Sequence, residues 1–359
     1  MISDMLRKNG LKRLFIMWVV YPYFFDRIID LYVSGKIEKR TKQAFDMFLS
    51  QEERKDSKRL KHLKEDIRNC YWRYLISPDE YFYYGCENSS DDKRKTFLTD
   101  KVMVRKLYEK TGEFAYRHDL RNKYNFYKKT APYFNREVMS FDDSTTKDVF
   151  VEFAVRVRNL FVKVISKARG VGISSHIIET KEQAEELFAK LNSSGAKYII
   201  EEKIQQCKEF VAFNESSCNS VRLPTFLTKK GFFVLQPFFR TGRVGSIVDN
   251  AGAGGVFANI DVRTGVICSD GIDERGNYYK AHPDSKITFR GYQIPKWDEL
   301  LKLAEEIHRT KMPNHVYIGW DFTLTEKGWV LIEGNWGQFV GQYIDKEGIK
   351  KQLIIICNK

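Results

Sequence analysis

Two apolar runs near the C-terminal end of the chain constrain its fold most strongly. Residues 319–324 read GWDFTL and residues 329–336 read WVLIEGNW, with the turn sequence TEKG between them. This pattern predicts a β-hairpin with two largely buried strands. Three side chains that carry oxygen ligands interrupt the apolar pattern: Asp321, Glu333 and Asn335. The turn would bring Asp321 opposite Glu333, and Asn335 would share a strand face with Glu333 because strand side chains alternate with a period of two.

Carboxylates gathered in this way need a partner. Two of them held close together away from water repel each other and are costly to desolvate. A hard divalent cation resolves that conflict, and Mg²⁺ takes oxygen ligands, of which only a few are protein carboxylates and the rest phosphate or water. Asp321, Glu333 and Asn335 are therefore the predicted magnesium ligands.

The rest of the chain changes character along its length. Residues 1–70 are rich in helix formers with apolar residues at helical spacing, and helical signals resume at 100–112. Further on, residues 160–165 and 197–204 read as strands, and residues 180–195 read as a helix capped by Thr180. From residue 220 onward apolar runs alternate with turns as in an antiparallel sheet, and DELLKLAEEIHRT precedes the hairpin as a helix. This order predicts an α+β fold and lacks the strict alternation of a doubly wound one.

The basic character of the chain is concentrated near its N-terminus. Of a net charge of +13, an excess of ten basic over acidic residues falls within residues 1–130, which also contain the aromatic run YWRYLISPDEYFYYG. Such a surface can face nucleic acid, anionic lipid or an acidic glycan, while a solvated helical face over an aromatic core explains it equally well. We expect no nucleic-acid partner, because no RNA-binding or zinc-finger pattern is present.

Cysteine usage and hydropathy bear on the compartment. Six cysteines without C-x-x-C spacing favour a reducing environment. The longest apolar run, residues 14–25, is shorter than the about 20 residues that span a bilayer. We interpret it as a buried helix, with a place in a membrane interface as the alternative. The prediction is a cytoplasmic protein, with peripheral contact at the inner face of the membrane, or with a lipid-linked glycan, as a further option.

A second set of residues suits a nucleotide. Lys163 ends a predicted strand and precedes a glycine-bearing loop at 166–175, which can close over phosphate oxygens. The strand 199–204 then enters a polar linker, where strand-edge backbone groups can contact an adenine and Glu202 or Glu209 can contact a ribose. Neither GxxxxGK[ST] nor GxGxxG is present, so those two nucleotide folds are not indicated.

These residues together resemble the ATP-grasp superfamily. Lys163 with its glycine loop, the EEKI segment and D-x11-E-x-N carry the likeness, and the sugar-transfer-associated branch, found among capsule, O-antigen and exopolysaccharide genes, is the closer match. The segments that resemble this branch span roughly residues 115–340 and are DLRNKYNFY (119–127), CNSVRLPTF (218–226), GSIVDNAGAGGVFANID (245–261), KAHPDSKITFRGYQIPKWDE (280–299) and YIGWDFTLTEKGWVLIEGNWGQF (317–339).

The resemblance implies an organisation and a reaction. A helical, basic and aromatic-rich region would cover residues 1–114, and an ATP-grasp domain would cover residues 115–359. That domain would form two α+β lobes around an ATP cleft, a nucleotide-binding lobe at 115–210 and an antiparallel-sheet lobe with the metal site at 211–359. Such enzymes use Mg·ATP to join a carboxylate to an amine or a similar nucleophile through an acyl phosphate, releasing ADP. A bacterial surface sugar is the substrate that this branch suggests. A non-catalytic nucleotide-binding scaffold and an ATP-grasp phosphotransferase are the alternatives.

The resemblance also implies residue roles. Lys123 and Lys163 would contact phosphates, the loop 166–175 would act as a lid, and Glu209 would bind the ribose. The remaining nucleotide contacts would come from the lid and from the adenine hinge: Arg169, Gly170, Gly172, Glu201, Glu202, Lys203 and Ile204. Asp321, Glu333 and Asn335 would hold Mg²⁺.

One position departs from the family pattern. In D-alanine–D-alanine ligase an arginine stands two positions before the metal-binding aspartate, and here Gly319 takes that place. Arg222 and Arg240 are the predicted catalytic replacements, because both fall on strands that face the expected cleft. Predicted substrate contacts come from the glycine-rich segment and the AHP loop: Asp249, Asn250, Gly254, Gly255 and His282.

Overall fold

The computed structural model describes residues 24–99, 101–102, 118–165, 172–249, 254–336 and 341–357. The chain divides into two compact units. The first comprises Met1–Met103 with Lys346–Lys351, and the second comprises Val104–Asp345 with Gln352–Lys359. The predicted boundary at residues 114–115 and nearly all of the apolar run 14–25 lie outside the described residues.

The described part of the first unit is helical, which confirms the prediction for the N-terminal region. Its elements are α1 (Phe24–Ile28), which continues into a π-helical turn (Ile29–Val33), α2 (Lys36–Phe48), α3 (Ser57–Tyr74), α4 (Pro78–Tyr83) and α5 (Asp91–Arg94). Asp56 caps α3 by accepting from the N–H groups of Lys58 and Arg59. Ser77 and Glu80 form a capping box on α4, with Pro78 at the first helical position.

The aromatic run at 71–85 packs largely into the core of this unit. Tyr71, Tyr81 and Tyr84 are buried. Phe82 stacks on Phe48 with ring centroids 5.0 Å apart, and Tyr84 stacks on Phe97 at 4.2 Å. The core-forming interpretation of these aromatic residues is therefore confirmed.

The second unit contains two antiparallel sheets. The smaller has the order β1-β4-β2-β3 and consists of β1 (Val138–Phe141), β2 (Asn159–Val164), β3 (Ile173–Ile177) and β4 (Tyr198–Glu202). Helices α8 (Lys147–Val157) and α9 (Lys181–Ser193) pack on it around Phe150, Leu160 and Ile200. Thr180 caps α9 as predicted. The predicted loop at 166–175 is partly wrong, because Ile173–Ser175 pair with β2 as the start of β3.

The larger sheet has eight strands in the order β10-β9-β8-β7-β5-β11-β12, with β6 pairing to β5. They are β5 (Ser220–Thr228), β6 (Gly231–Val234), β7 (Phe238–Thr241), β8 (Val256–Asn259), β9 (Gly271–Ile272), β10 (Tyr278–Tyr279), β11 (Tyr317–Thr325) and β12 (Gly328–Asn335). The remaining helices are α6 (His118–Arg121), α7 (Lys123–Thr130), α10 (Lys208–Val211), α11 (Trp297–Lys311), α12 (Gly341–Asp345) and α13 (Lys350–Cys357). Buried residues of α11, including Leu300, Ala304 and Ile307, join the core of this sheet.

The predicted hairpin is confirmed as β11 and β12. Asp321 pairs with Glu333, and the register shifts by a bulge just beyond Asp321. Strand β11 is central, since it also pairs with β5, where Asp321 faces Arg222. Segments that flank the smaller sheet bond to the hairpin: the N–H of Cys207 donates to the carbonyl of Leu324 at 2.9 Å, and Arg136 donates to the carbonyl of Leu331 at 2.8 Å.

Among the residues that the structure describes, none of the helices combines the length and the apolar character needed to cross a membrane.

Candidate nucleotide and metal site

Asp321 lies at the centre of a buried ion network on the larger sheet, which we call the hairpin network. Arg222 on β5 binds Asp321 through two bonds, from Nε to Oδ1 and from Nη2 to Oδ2 at 3.0 Å. Arg240 on β7 donates to the same Oδ2 at 3.0 Å. All three side chains are nearly inaccessible to solvent. Neighbouring strands therefore place two guanidinium groups on one carboxylate.

Arg240 extends this network to a fourth residue. Its Nη2 donates to Oδ1 of Asp249 at 2.7 Å, and the Ser220 hydroxyl donates to Oδ2 of Asp249. Asp249 is buried in the segment that follows β7, eight residues after Thr241. Arg240 is thus held between two carboxylates, Asp249 and Asp321.

The charges in this network shift one another's pKa values. Burial opposes the ionisation of Asp321, but the charges of Arg222 and Arg240 outweigh it and hold the pKa of Asp321 below its ordinary value. Burial also opposes the charge of each arginine, yet the carboxylates raise the pKa of both guanidinium groups. Burial raises the pKa of Asp249, and Arg240 offsets this only in part.

The other two predicted metal ligands lie next to Asp321. The side-chain amide of Asn335 donates to Oδ2 of Asp321 at 3.3 Å and to Oε1 of Glu333 at 3.1 Å. The three groups therefore converge on one place. A rotated Asn335 amide would present its oxygen there instead, since amide orientation is assigned from the bonding pattern.

This donor set fits a hard cation in its chemistry. It offers two carboxylates and one amide oxygen, and Mg²⁺ typically takes few protein carboxylates beside phosphate and water. Within the described residues no cluster of three or more His, Cys, Asp and Glu side chains has the arrangement of a metal site. In the described part of the chain, Oδ2 of Asp321 accepts from both arginines and from Asn335, whereas Oδ1 accepts only from Nε of Arg222, so Oδ1 is the oxygen with a lone pair left for a cation.

Gly319 explains how Arg222 reaches Asp321. A Cβ atom on Gly319 would lie 3.4 Å from Cδ and 3.6 Å from Nη1 of Arg222, and 3.0 Å from the hydroxyl of Tyr317. Arg222 therefore extends across the space beside this glycine. The position at which the resemblance implied an arginine is flanked by the arginine of a neighbouring strand, which favours Arg222 as the replacement.

A second buried ion network lies on the smaller sheet, and we call it the small-sheet network. Lys163 on β2 donates to Oε1 of Glu201 on β4 at 2.7 Å. Arg136 donates to Oε2 of the same residue at 2.9 Å from Nε and 2.6 Å from Nη2. Burial by itself would raise the pKa of Glu201, but the charges of Arg136 and Lys163 outweigh it and lower that pKa.

Charges of both networks act on the thiol of Cys218. Burial raises the pKa of this thiol to about 12, and the charge of Asp249 adds to the effect. The charges of Arg136 and Lys163 oppose it.

Comparison with known proteins identifies the family. The family model described as "Sugar-transfer associated ATP-grasp" matches residues 161–358, more than half of the chain. The chain belongs to this family. The matched range contains Lys163, both arginines of the hairpin network and the predicted metal ligands. No curated protein matches the chain significantly.

The solved structures to which the chain is similar are remote in sequence. D-alanyl-alanine synthetase A from Vibrio cholerae O1 biovar eltor is 13% identical, with a TM-score of 0.37, 60% of this chain covered and 55% of the other. D-alanine–D-alanine ligase from Bacillus anthracis is 12% identical, with a TM-score of 0.38, 66% of this chain covered and 63% of the other. The ATP-grasp ligase PsnB complexed with precursor peptide PsnA2 and AMPPNP is 13% identical, with a TM-score of 0.42, 75% of this chain covered and 70% of the other. The match spans less than two thirds of the length of the first two proteins.

The hinge residues that the ATP-grasp resemblance implied lie at the end of β4. The N–H of Glu202 donates to the carbonyl of Glu137, and the N–H of Lys203 donates to the carbonyl of Asn159, both at 2.8 Å. These two amides belong to the sheet, so Ile204, after the strand end, is the better candidate for an adenine contact. Glu209 lies on α10, where hydrogen bonds from its own backbone and from Cys207 lower its pKa.

The other residues to which the ATP-grasp resemblance gave a role lie on several different elements of the second unit or outside the described residues. Lys123 begins α7, which packs on β12 through Phe126 beside Gly334. Gly172 has φ +74° and its carbonyl accepts from the N–H of Val164. Gly254, at a turn with φ +83°, and the buried Gly255 precede β8. Arg169, Gly170 and Asn250 lie outside the described residues, and the roles of all of these residues stay predictions.

His282 is held by hydrogen bonds to the backbone of neighbouring segments. Its ring is fully buried, and backbone N–H groups of Asp284 and Ser285 point at Nδ1, so Nε2 carries the proton and donates to the carbonyl of Gly242 at 2.9 Å. Burial lowers its pKa. Next to it, Arg243 binds Asp284 through two bonds of 2.8 Å. These contacts anchor the segment that leads to Asp249, and a direct contact of His282 with substrate stays a prediction.

Arg136 is the functional candidate that the sequence analysis missed. It joins Glu201 to the carbonyl of Leu331 on β12 and thereby links the two sheets. Its position in NRE, before a short strand, resembles many surface arginines. Only the pairing of β1 with β4 brings it to Glu201.

Proposed function

We propose that this protein is an Mg·ATP-dependent ligase that joins a carboxylate to an amine, or a similar nucleophile, and releases ADP. The single observation that carries the proposal is the pair of buried ion networks in a chain of the ATP-grasp family. Cations predominate in the small-sheet network, while carboxylates predominate around Asp321 once Glu333 is included. A nucleotide phosphate suits the former, and a divalent cation suits the latter.

The proposed chemistry needs positioning more than a reactive side chain. An oxygen of the substrate carboxylate attacks the γ-phosphorus of ATP, the bond to the β,γ-bridging oxygen breaks, and ADP leaves with that oxygen. The amine nitrogen then attacks the acyl carbon, phosphate leaves, and the nitrogen loses a proton. Bound Mg²⁺ would neutralise phosphate charge during this transfer. Asp321, Glu333 and Asn335 would hold it.

The arginines would stabilise the transferred phosphoryl group. Arg222 and Arg240 are pre-oriented by Asp321 and Asp249, so they need little reorganisation when negative charge develops nearby. Lys163 and Lys123 would contact the phosphates. The hinge around Glu201–Ile204 would contact the adenine, and Glu209 would contact the ribose.

The first test is a thermal-shift titration with Mg·ATP. A ligand that binds only the folded state stabilises it by RT ln(1 + [L]/Kd), so the wild type should melt at a higher temperature. Asp321→Asn combined with Glu333→Gln should lose most of this shift. Glu137→Gln with Glu185→Gln, which removes two exposed carboxylates of the same unit, is the matched control and should retain it. No shift of the wild type at millimolar Mg·ATP would contradict the proposal.

The sugar-related part of the proposal concerns the substrate. The family description associates its members with sugar transfer, so uronic acids, amino sugars and their nucleotide- or lipid-linked forms are the compounds to screen first. ADP release in the presence of one acid and one amine would identify the pair. A nucleotide-binding scaffold would bind Mg·ATP and release no ADP with any of them.

Hydroxylamine separates the ligase from a phosphotransferase. An acyl phosphate reacts with it to give a hydroxamate, whereas a stable phosphoester does not. ADP release with a carboxylate alone, accompanied by hydroxamate, would support the ligase. ADP release that yields a lasting phosphoester would assign the protein to the phosphotransferases.

A further inference from the structure

The first unit exposes a row of large apolar side chains, which we call the apolar face. It consists of Phe25, Ile29, Tyr32 and Val33, whose exposed fractions are 57%, 48%, 53% and 73%. These residues recur at intervals of three to four along α1 and the π-helical turn, so they share one side of the helix. The opposite side is buried through Phe24 and Leu31.

Solvation alone does not account for this concentration of apolar groups. Exposed hydrophobic residues are ordinary when they are scattered, and a contiguous row marks an interaction surface. The apolar face begins at Phe25, the last residue of the apolar sequence LFIMWVVYPYFF. On the buried side of the same helix, Phe24 meets Trp72 of α3 edge-on at 5.8 Å between ring centroids.

Cations of α3 adjoin the apolar face. The guanidinium of Arg68 lies 5.4 Å from the centre of the Tyr32 ring. Lys64 lies about one turn and Lys61 about two turns before Arg68, and all three side chains are exposed. Glu65 is the one exposed carboxylate among them, so this strip, Lys61 to Arg68, has a net positive charge.

We propose that the apolar face and the adjoining basic strip bind the anionic surface of a lipid bilayer. Apolar and aromatic side chains enter the boundary between headgroups and acyl chains, while Lys and Arg remain at the level of the headgroup phosphates. The positive charge of the strip complements the negative charge of the lipid headgroups. Each basic residue adds an electrostatic attraction, which salt weakens by screening. Bound in this way, the protein would act on substrates at a membrane surface.

The experiment is co-sedimentation of the full-length protein with vesicles of phosphatidylcholine containing 30% phosphatidylglycerol. The wild type should bind them and bind pure phosphatidylcholine vesicles at least tenfold more weakly. Ile29→Ser with Val33→Ser should reduce binding at least tenfold. The matched control, Val149→Ser with Val155→Ser, removes two exposed valines from α8 in the second unit and should bind like the wild type. Thermal melting of each variant verifies that it is folded.

A second pair of variants tests the charge. Lys61→Gln, Lys64→Gln and Arg68→Gln together should weaken binding and flatten its dependence on salt, whereas Lys181→Gln, Lys190→Gln and Lys302→Gln should do neither. Absence of vesicle binding by the wild type would overturn the proposal, and so would equal losses in a variant and its control. Self-association that Ile29→Ser with Val33→Ser abolishes, without vesicle binding, would instead assign the apolar face to a second copy of the chain.

Discussion

The two buried ion networks differ in their balance of charge. In the small-sheet network one carboxylate, Glu201, serves two cations, Lys163 and Arg136. In the hairpin network two guanidinium groups face Asp321 and Asp249, and Glu333 adds a third carboxylate through Asn335. The former has one positive charge in excess and the latter has one negative charge in excess.

Under the proposed function, this difference would suit the smaller sheet to a nucleotide phosphate and the hairpin to a metal ion. A buried excess of charge costs free energy until a ligand of opposite sign neutralises it. The small-sheet network would gain from a phosphate and the hairpin network from a cation. Arg136 connects them structurally, since it binds Glu201 and the backbone of β12 together.

The largest effect is expected at the small-sheet network. Glu201→Gln leaves Lys163 and Arg136 buried without a carboxylate, and breaking a buried ion pair in this way costs about 3–5 kcal/mol of unfolding free energy. Glu137→Gln is the matched control, because it removes the same group from an exposed pair with Arg156, where about 0–1 kcal/mol is expected. Urea denaturation measures both. An equal loss of unfolding free energy in both variants would show that Lys163 and Arg136 do not need the carboxylate of Glu201.

Coupling within the hairpin network is the next largest effect. Asp321→Asn and Arg222→Met should each destabilise the protein, and the double variant should cost less than the sum, by about 1–3 kcal/mol, because each single change strands the partner charge. The same cycle between Arg222 and Glu201, which belong to different networks, should give a coupling near zero. Additive costs for Arg222 and Asp321 would contradict the direct pairing.

The carboxylates of the two networks should not all affect the pH dependence of stability in the same direction. The pKa values of Glu201 and Asp321 are lowered in the folded protein, so their contribution is present above their ordinary values of 4.5 and 3.8 and is lost as the pH falls below them. Asp249 behaves oppositely: its pKa is raised, so stability falls as the pH rises through the range just above 3.8. Unfolding free energies between pH 3 and pH 6 test both signs. Glu201→Gln should reduce the loss of unfolding free energy at low pH. Asp249→Asn should remove the fall of unfolding free energy with rising pH.

The smallest effect concerns the segment that delivers Asp249 to Arg240. Arg243→Ala removes a two-bond pair with Asp284 that is partly exposed, so a loss of up to about 1 kcal/mol in unfolding free energy is expected. Arg263→Ala, from a fully solvated arginine, is the control and should cost nothing measurable. If the segment supports the hairpin network, Arg243→Ala should also weaken Mg·ATP binding by a few fold, measured by calorimetry. Equal binding of both variants would confine Arg243 to a stabilising role.

Local pattern was enough to predict most elements of the fold. The alternation and turn of the hairpin, the capped helix after Thr180 and the helical N-terminal region all depend on neighbouring residues, and all are confirmed. The start of β3 was missed because Ile173 follows a glycine-bearing segment and precedes two serines, a pattern that resembles a loop until β2 pairs with it.

The candidate site was predictable only in part. The amino-acid sequence by itself determined the facing of Asp321 and Glu333, because a short turn fixes the register of a hairpin. It also determined that Lys163 lies near the end of a strand. Tertiary structure alone decided that Arg222 and Arg240 bind Asp321, that Asp249 holds Arg240, and that Arg136 shares Glu201 with Lys163. The reason is physical: hairpin register follows from a local turn, whereas the pairs of Arg136 with Glu201 and of Arg222 and Arg240 with Asp321 join residues 65 to 99 positions apart and depend on which strands become neighbours in a sheet.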